Sequence, residues 1–139
     1  MEPGRSILDQ VGMTLARVVF RKKDMRGRWL VGLEMNMSQL KSSSADFLMD
    51  PVTAFVTAPN QPVEVYFTGA YCLEQDILLK RKIAVPHLPQ IGDIVGFVNT
   101  AGYMMHFFET QAHLFELSVN LSLETSKENY DYQDFKNDT

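Results

Sequence analysis

The apolar residues of this chain fall in short runs of strand length, each cut by proline, glycine or a charged cluster. Thr14 to Lys22 is β-branched and apolar, the cluster Arg21 to Arg28 makes a turn, and Trp29 to Leu33 is the matching second strand. Val52 to Val56 and Val63 to Phe67 are short strands separated by Pro59 and Pro62. Ile77 to Leu79 and Lys82 to Val85 follow, Pro86 and Pro89 break the chain, and Gly92-Asp93 turns into Ile94 to Val98. The clearest alternation comes last, with Phe115, Leu117, Val119 and Leu121 set between Glu116, Ser118 and Asn120. Strands this short, spaced by turn residues, predict a mainly β fold: an antiparallel β-sandwich or small β-barrel. A single short helix is predicted over residues 6–12. Ser6-Ile7-Leu8-Asp9 fits a capping box, Ile7, Leu8 and Val11 share a face, and Gly12 is the stop.

Length and charge narrow the function classes. With 139 residues, 45% of them hydrophobic and 22% charged, the chain holds enough apolar material for one modest core. A (β/α)₈ barrel takes about 250 residues and does not fit. The net charge of −4 argues against a nucleic-acid partner, which asks for a basic face. No apolar run reaches the roughly 18 residues of a membrane span, and Met-Glu-Pro-Gly-Arg is no signal peptide. Cys72 is the sole cysteine, so no internal disulfide framework exists and a reducing cytosol suits the composition. One cysteine and three spread histidines predict no metal site. Residues 1–124 read as one β-domain, and 125–139, polar and acidic, as a disordered tail. The polar stretch 36–50 keeps no period and reads as a loop, either functional or plain surface.

Four segments carry possible chemistry. In Glu2-Pro3-Gly4-Arg5-Ser6, a glycine lets phosphate approach the backbone and an arginine can grip it bidentately; an ordinary charged terminus reads the same way. In Gly69-Ala70-Tyr71-Cys72-Leu73-Glu74-Gln75-Asp76, nearby acids raise the thiol pKa, which suits a proton donor or gate better than a nucleophile; a buried structural thiol is the plainer reading. Pro86 to Asp93 is turn chemistry. Asn99 to Phe107 contains small residues and Tyr103, whose hydroxyl can meet a ligand, in a cluster that is otherwise ordinary core or interface material.

Taken in order, these segments resemble the C-terminal part of the alanine-racemase-fold decarboxylases that use pyridoxal 5′-phosphate, among them the ornithine, arginine and diaminopimelate decarboxylases. That family has an E-P-G-R segment, a G-P-x-C…D segment, a proline-to-G-D turn and a G-A-Y segment. Their counterparts here are Glu2 to Arg5, Gly69 to Cys72 with Asp76, Pro86 to Asp93, and Ala101-Gly102-Tyr103. Ala70 stands where proline is usual, and Leu73 replaces the acid that holds a distal amine in ornithine-type enzymes. Met35 to Leu40 and Gly102 to Phe107 look more like the siderophore-biosynthesis branch, which decarboxylates a citryl-diaminopropionate-type intermediate.

The resemblance implies a catalytic Cys72 acting in the partner subunit's active site, and cofactor contacts from Glu2, Gly4, Arg5 and Tyr103. Glu2 would face the pyridine nitrogen; Gly4, Arg5 and Tyr103 would face the phosphate. It suggests substrate contacts from Asp50, Leu73, Asp76 and His106, in a homodimer with active sites at the subunit interface. The family's Schiff-base lysine lies on its barrel, upstream of the segment that Glu2 opens. The chain therefore reads as the C-terminal β-domain of a cytoplasmic enzyme, with residues 1–12 the remnant of the barrel junction. Alone it is expected to be inactive and to hold no pyridoxal phosphate. Two other readings stand beside this one: a non-catalytic module that pairs with a full-length relative, and a β-barrel that binds a small anion at Arg5.

Overall fold

In the computed structural model of the chain, the described residues are Ile7, 11–40, 50–54, 61–71, 73–100, Val119, 121–126 and 129–134. They form eight strands: β1 (Met13–Lys23), β2 (Trp29–Leu33), β3 (Val52–Ala54), β4 (Val63–Thr68), β5 (Ile83–Val85), β6 (Ile94–Val98), β7 (Leu121–Ser126) and β8 (Asn129–Asp134). The fold is mainly β and barrel-like, as the strand-length runs predict. Residues 1–109 and 110–139 form two compact units.

The first unit is a six-stranded sheet in the order β3-β6-β1-β2-β4-β5. β1 is long enough to serve two neighbours. Its first half pairs with β6 (Met13 opposite Val98 through Arg17 opposite Ile94), and its second half pairs with β2 (Lys23 opposite Trp29). The change of partner falls at an irregularity between Val18 and Phe20, where a bulge bends the strand. Phe20 lies over Gly32, and its ring fills the space a side chain there would need.

The curl brings distant strands together. Phe67 on β4 and Phe97 on β6 are three strands apart in the sheet, which in a flat sheet is about 14 Å. Their ring centroids are 6.4 Å apart, edge to face. Around them Val18, Val31, Leu33, Val65, Leu79, Ile83 and Val95 make a core with almost no exposed surface. Along β1 and β4 the inward positions alternate with more exposed ones, whereas β6 is buried over three consecutive residues, Val95 to Phe97.

Several expectations need amending. One neighbouring pair, β2 and β4, runs parallel rather than antiparallel; a parallel pair requires a long crossover, and the intervening chain includes β3 on the far edge of the sheet. Ile77–Leu79 is not a strand but a single bridge from Ile77 to Thr68, followed by Leu78 and Leu79, both buried in the core. Residues 37–40, expected as loop, make a 3-10 turn whose Leu40 is buried. In the second unit β7 and β8 pair antiparallel, Leu121 opposite Asp134 through Ser126 opposite Asn129. The segment expected as a disordered tail from 125 therefore contains a strand, consistent with the strand-favouring Tyr130 and Tyr132. Of the helix predicted over 6–12, Ile7 is helical and exposed and Gly12 takes a left-handed φ of 79°, as a helix-stopping glycine does. Among the described residues no helix is long and apolar enough to cross a membrane, and no cluster of metal-ligating side chains occurs.

Candidate functional site

Strand direction decides which segments share an end of the sheet. β3 and β5 run with β1, whereas β2, β4 and β6 run against it. Gly12, Asp50 and Arg81 precede β1, β3 and β5; Met35 to Leu40, Gly69 to Asp76 and Thr100 follow β2, β4 and β6. All six therefore belong to one end. Cross-links confirm it. The Thr100 N–H donates to the Gly12 carbonyl at 3.4 Å, and the Ala70 N–H to the Met35 carbonyl at 2.7 Å. Arg81 donates to Asp50 Oδ1 from Nη2 at 2.9 Å and from Nε at 3.3 Å.

Asp76 organises this end. It is 2% exposed, and each carboxylate oxygen accepts a backbone N–H at 2.7 Å: Oδ1 from Met37 and Oδ2 from Tyr71. Its own backbone closes the loop, with the Gly69 N–H donating to the Asp76 carbonyl at 2.8 Å and the Asp76 N–H to the Leu73 carbonyl at 3.0 Å. Burial pushes the Asp76 carboxyl above its ordinary value, against the two N–H donors that favour the charged form. The carboxylate thus fixes loop 69–76 and ties it to the 3-10 turn after β2. Asp76 was expected to contact substrate; it sits in the interior of this framework. Leu73, by contrast, is 51% exposed on the turn that Asp76 holds.

Asp50 is exposed and ion-paired with Arg81, so a cationic ligand would compete with a guanidinium there. Thr100 is fully buried, and its hydroxyl oxygen accepts from the Thr14 hydroxyl at 2.9 Å. This bond fastens the chain where it leaves β6 for the Ala101-Gly102-Tyr103 segment. The turn over Pro86 to Asp93 lies at the opposite end of β6, where the Gly92 N–H and the Asp93 carbonyl bracket Val18, each at 2.8 Å. It is a turn, as expected. Glu2, Gly4, Arg5, Cys72, Tyr103 and His106 lie outside the described residues. Sequence reasoning missed Met37, Tyr71 and Thr14, the first two because they act through backbone N–H groups and leave no side-chain signal. Asp76 itself was legible as the acid that closes the Gly69 to Asp76 segment, seven residues after its glycine.

No protein-family model matches the chain. It is 31% identical over 119 residues to the uncharacterized protein y4yA of Sinorhizobium fredii, covering 81% of this chain and 26% of that protein. Among solved structures it superposes on diaminopimelate decarboxylase from Helicobacter pylori, complexed with L-lysine, with TM-score 0.70 and 18% identity, covering 96% of this chain and 30% of the other. The lysine/ornithine decarboxylase of Vibrio vulnificus complexed with cadaverine gives TM-score 0.65 and 18% identity over 81% of this chain and 30% of that one. The Paramecium bursaria Chlorella virus arginine decarboxylase bound to agmatine gives 0.64 and 17% identity with the same coverage. The chain has the fold of a segment of these alanine-racemase-fold decarboxylases, in accord with a C-terminal β-domain. It spans about a quarter of the curated relative and under a third of the solved enzymes.

Proposed function

We propose that this chain is the β-domain of a pyridoxal-phosphate-dependent amino acid decarboxylase, cytoplasmic and homodimeric, with active sites at the subunit interface. The observation that carries the reading is the fold shared with decarboxylases of three substrate types, joined to four motif segments in the family's order. By residue type the donor set suits the cofactor: a guanidinium and a glycine backbone for phosphate, a carboxylate for a pyridinium nitrogen, and a phenol.

When bound, pyridoxal phosphate supplies an electron-accepting ring for the pair released as CO₂ leaves. The chain's residues do the rest. Arg5 and the Gly4 backbone hold the phosphate, with Tyr103 beside it. Glu2 keeps a proton on the ring nitrogen. Cys72 delivers a proton at the reacting carbon in the partner's site, and Asp76 holds the loop that carries it. Leu73 offers no charge to a distal ammonium, Asp50 is already paired with Arg81, and His106 is the residue type that would donate to an anionic tail. The substrate favoured by this arrangement is a carboxylate-rich conjugate of a diamino acid, as in the siderophore branch, rather than a simple diamino acid.

The test uses the holoenzyme dimer that contains this domain. Arg5→Ala lowers pyridoxal phosphate affinity about tenfold to a hundredfold, the worth of a charge-assisted hydrogen bond, while Cys72→Ala lowers kcat and leaves affinity unchanged. Equal effects of both on affinity overturn the assignment. A higher kcat/KM for ornithine or diaminopimelate than for a citryl-diamino acid ends the siderophore reading.

A further inference from the structure

The turn between β1 and β2 gathers positive charge around an apolar tip. Arg21, Lys22, Lys23, Arg26 and Arg28 stand there against Asp24 alone, a net +4 in eight residues of a chain whose total is −4. All five cations are exposed. Asp24 is spent on closing the turn. Its N–H donates to the Arg28 carbonyl and its carbonyl accepts from the Gly27 N–H, both at 3.0 Å. Its Oδ1 accepts from the Arg26 and Arg28 N–H groups at 2.9 and 2.8 Å, and its Oδ2 from Arg28 Nε. The closed turn carries Met25 at its tip, fully exposed. Among the described residues no carboxylate is within ion-pair distance of Arg21, Lys22, Lys23 or Arg26.

The cations occupy both faces of the ribbon. Successive strand residues point to opposite faces, and the ring contacts show it. Lys22 Nζ lies 5.4 Å from the centroid of Phe20, two residues back on one face. Lys23 Nζ lies 4.9 Å from the centroid of Trp29, its cross-strand partner on the other face. The hairpin is at the end of β2 and β4 opposite loop 69–76, so a partner met by its tip does not cover that loop.

We propose that the β1–β2 hairpin docks end-on to an anionic lipid surface, with Met25 entering the headgroup–acyl boundary and the cations around it meeting lipid phosphates. A rigid acidic protein surface meets one face of a ribbon, whereas a fluid headgroup layer closes around both faces of an entering tip. Duplex phosphates would serve the cations, but Met25 has no hydrogen-bonding group to offer a base edge and gains from burial only where the partner is apolar. The net −8 carried by the rest of the chain does not forbid the contact, because charges more than about 8 Å from the surface are largely screened at physiological salt. Each cation near such a surface strengthens binding about fivefold, and one apolar residue added to a basic cluster gives a reversible contact rather than an anchor. The inference rests on charge, exposure and register and is independent of the decarboxylase reading.

Vesicle co-sedimentation of the 139-residue chain tests it, with phosphatidylcholine vesicles containing about one-third phosphatidylglycerol and, beside them, phosphatidylcholine alone. The chain binds the anionic vesicles and not the neutral ones, and raising salt from about 0.05 to 0.5 M weakens binding at least about tenfold. Arg21→Gln/Arg26→Gln, which touches neither Lys–ring contact, binds at least about tenfold more weakly, and Arg21→Lys/Arg26→Lys binds like wild type. Met25→Glu, at a fully exposed position, weakens binding about tenfold with an unchanged circular dichroism spectrum, and decides the matter should the glutamine pair fail to fold. No binding to anionic vesicles, equal binding to neutral ones, or indifference to salt overturns the proposal. So does wild-type binding by a folded glutamine pair or by Met25→Glu, or a lysine pair as weak as the glutamine pair. Tighter binding to duplex DNA than to anionic vesicles at matched phosphate concentration overturns it as well, by making the patch a nucleic-acid site.

Discussion

The carboxylate of Asp76 occupies the volume that a side chain on Gly69 would need. Gly69 is buried at the end of β4 and its N–H donates to the Asp76 carbonyl, so neither residue can move without opening the loop between them. Gly69→Ala must push the carboxylate off its two N–H donors or displace the strand end. Overpacking of this kind costs typically 1–3 kcal/mol, and we expect about 2 kcal/mol here, read as a lower urea midpoint at unchanged m-value. A neutral Gly69→Ala would mean that the loop yields freely.

Asp76→Asn keeps the shape but sets an amide nitrogen against one backbone N–H. We expect a loss of about 1–3 kcal/mol, the cost of a buried donor left without its acceptor. The pH dependence has a definite sign. Burial raises the folded carboxyl above its ordinary value, so the stabilising share of Asp76 is complete below the unfolded pKa of about 3.9 and is lost as pH rises through the folded value. The stability gap between wild type and Asp76→Asn should therefore narrow from acid toward neutral pH. Denaturant titrations across that range check it, and a gap that widens contradicts the assignment.

Asp24 has the opposite sign. The Arg28 N–H is the largest influence holding its carboxyl below the ordinary value, with the Arg28 side chain and the Arg26 N–H adding to it. Its share is present above a pH of about 3.9 and is lost as pH falls through the lower folded value. Asp24→Ala should lower Tm at neutral pH and leave it unchanged near pH 2. Equal losses at both would show that the turn depends on packing rather than on the ionised carboxylate.

How much of this was legible beforehand follows from what each signal encodes. The ranges Trp29–Leu33 and Ile94–Val98 match the strands read from the sequence because each is a short apolar run of strand length bounded by turn residues. Pairing leaves no such trace. Nothing in Val63–Phe67 distinguishes a parallel neighbour from an antiparallel one, so the β2–β4 pair was missed. Asp76 was visible as an acid near Cys72 but not as the centre of a loop, because its partners are the N–H groups of Met37 and Tyr71, which every residue but proline carries. Leu78 and Leu79 misled for a further reason: a short apolar run reads as strand, yet both residues are buried in the core beside a single bridge at Ile77 rather than in a ladder.

The Thr14–Thr100 hydrogen bond gives an asymmetric expectation. Thr100 is fully buried, and its hydroxyl oxygen takes the Thr14 proton at 2.9 Å. Thr14→Val removes that donor while leaving the Thr100 hydroxyl inside, a loss of about 1–2 kcal/mol. Replacing both partners by valine removes the stranded group as well, and such paired replacement is close to neutral. The double variant should therefore be more stable than Thr14→Val alone, with a coupling of about 1 kcal/mol in a double-mutant cycle. Additive losses would show that each hydroxyl has its own separate partner. Thr100 also begins the segment that leads to Tyr103. If Tyr103 meets the cofactor phosphate as proposed, Thr14→Val in the holoenzyme should weaken pyridoxal phosphate binding more than it lowers kcat at saturating cofactor, and the double valine variant should recover most of that affinity.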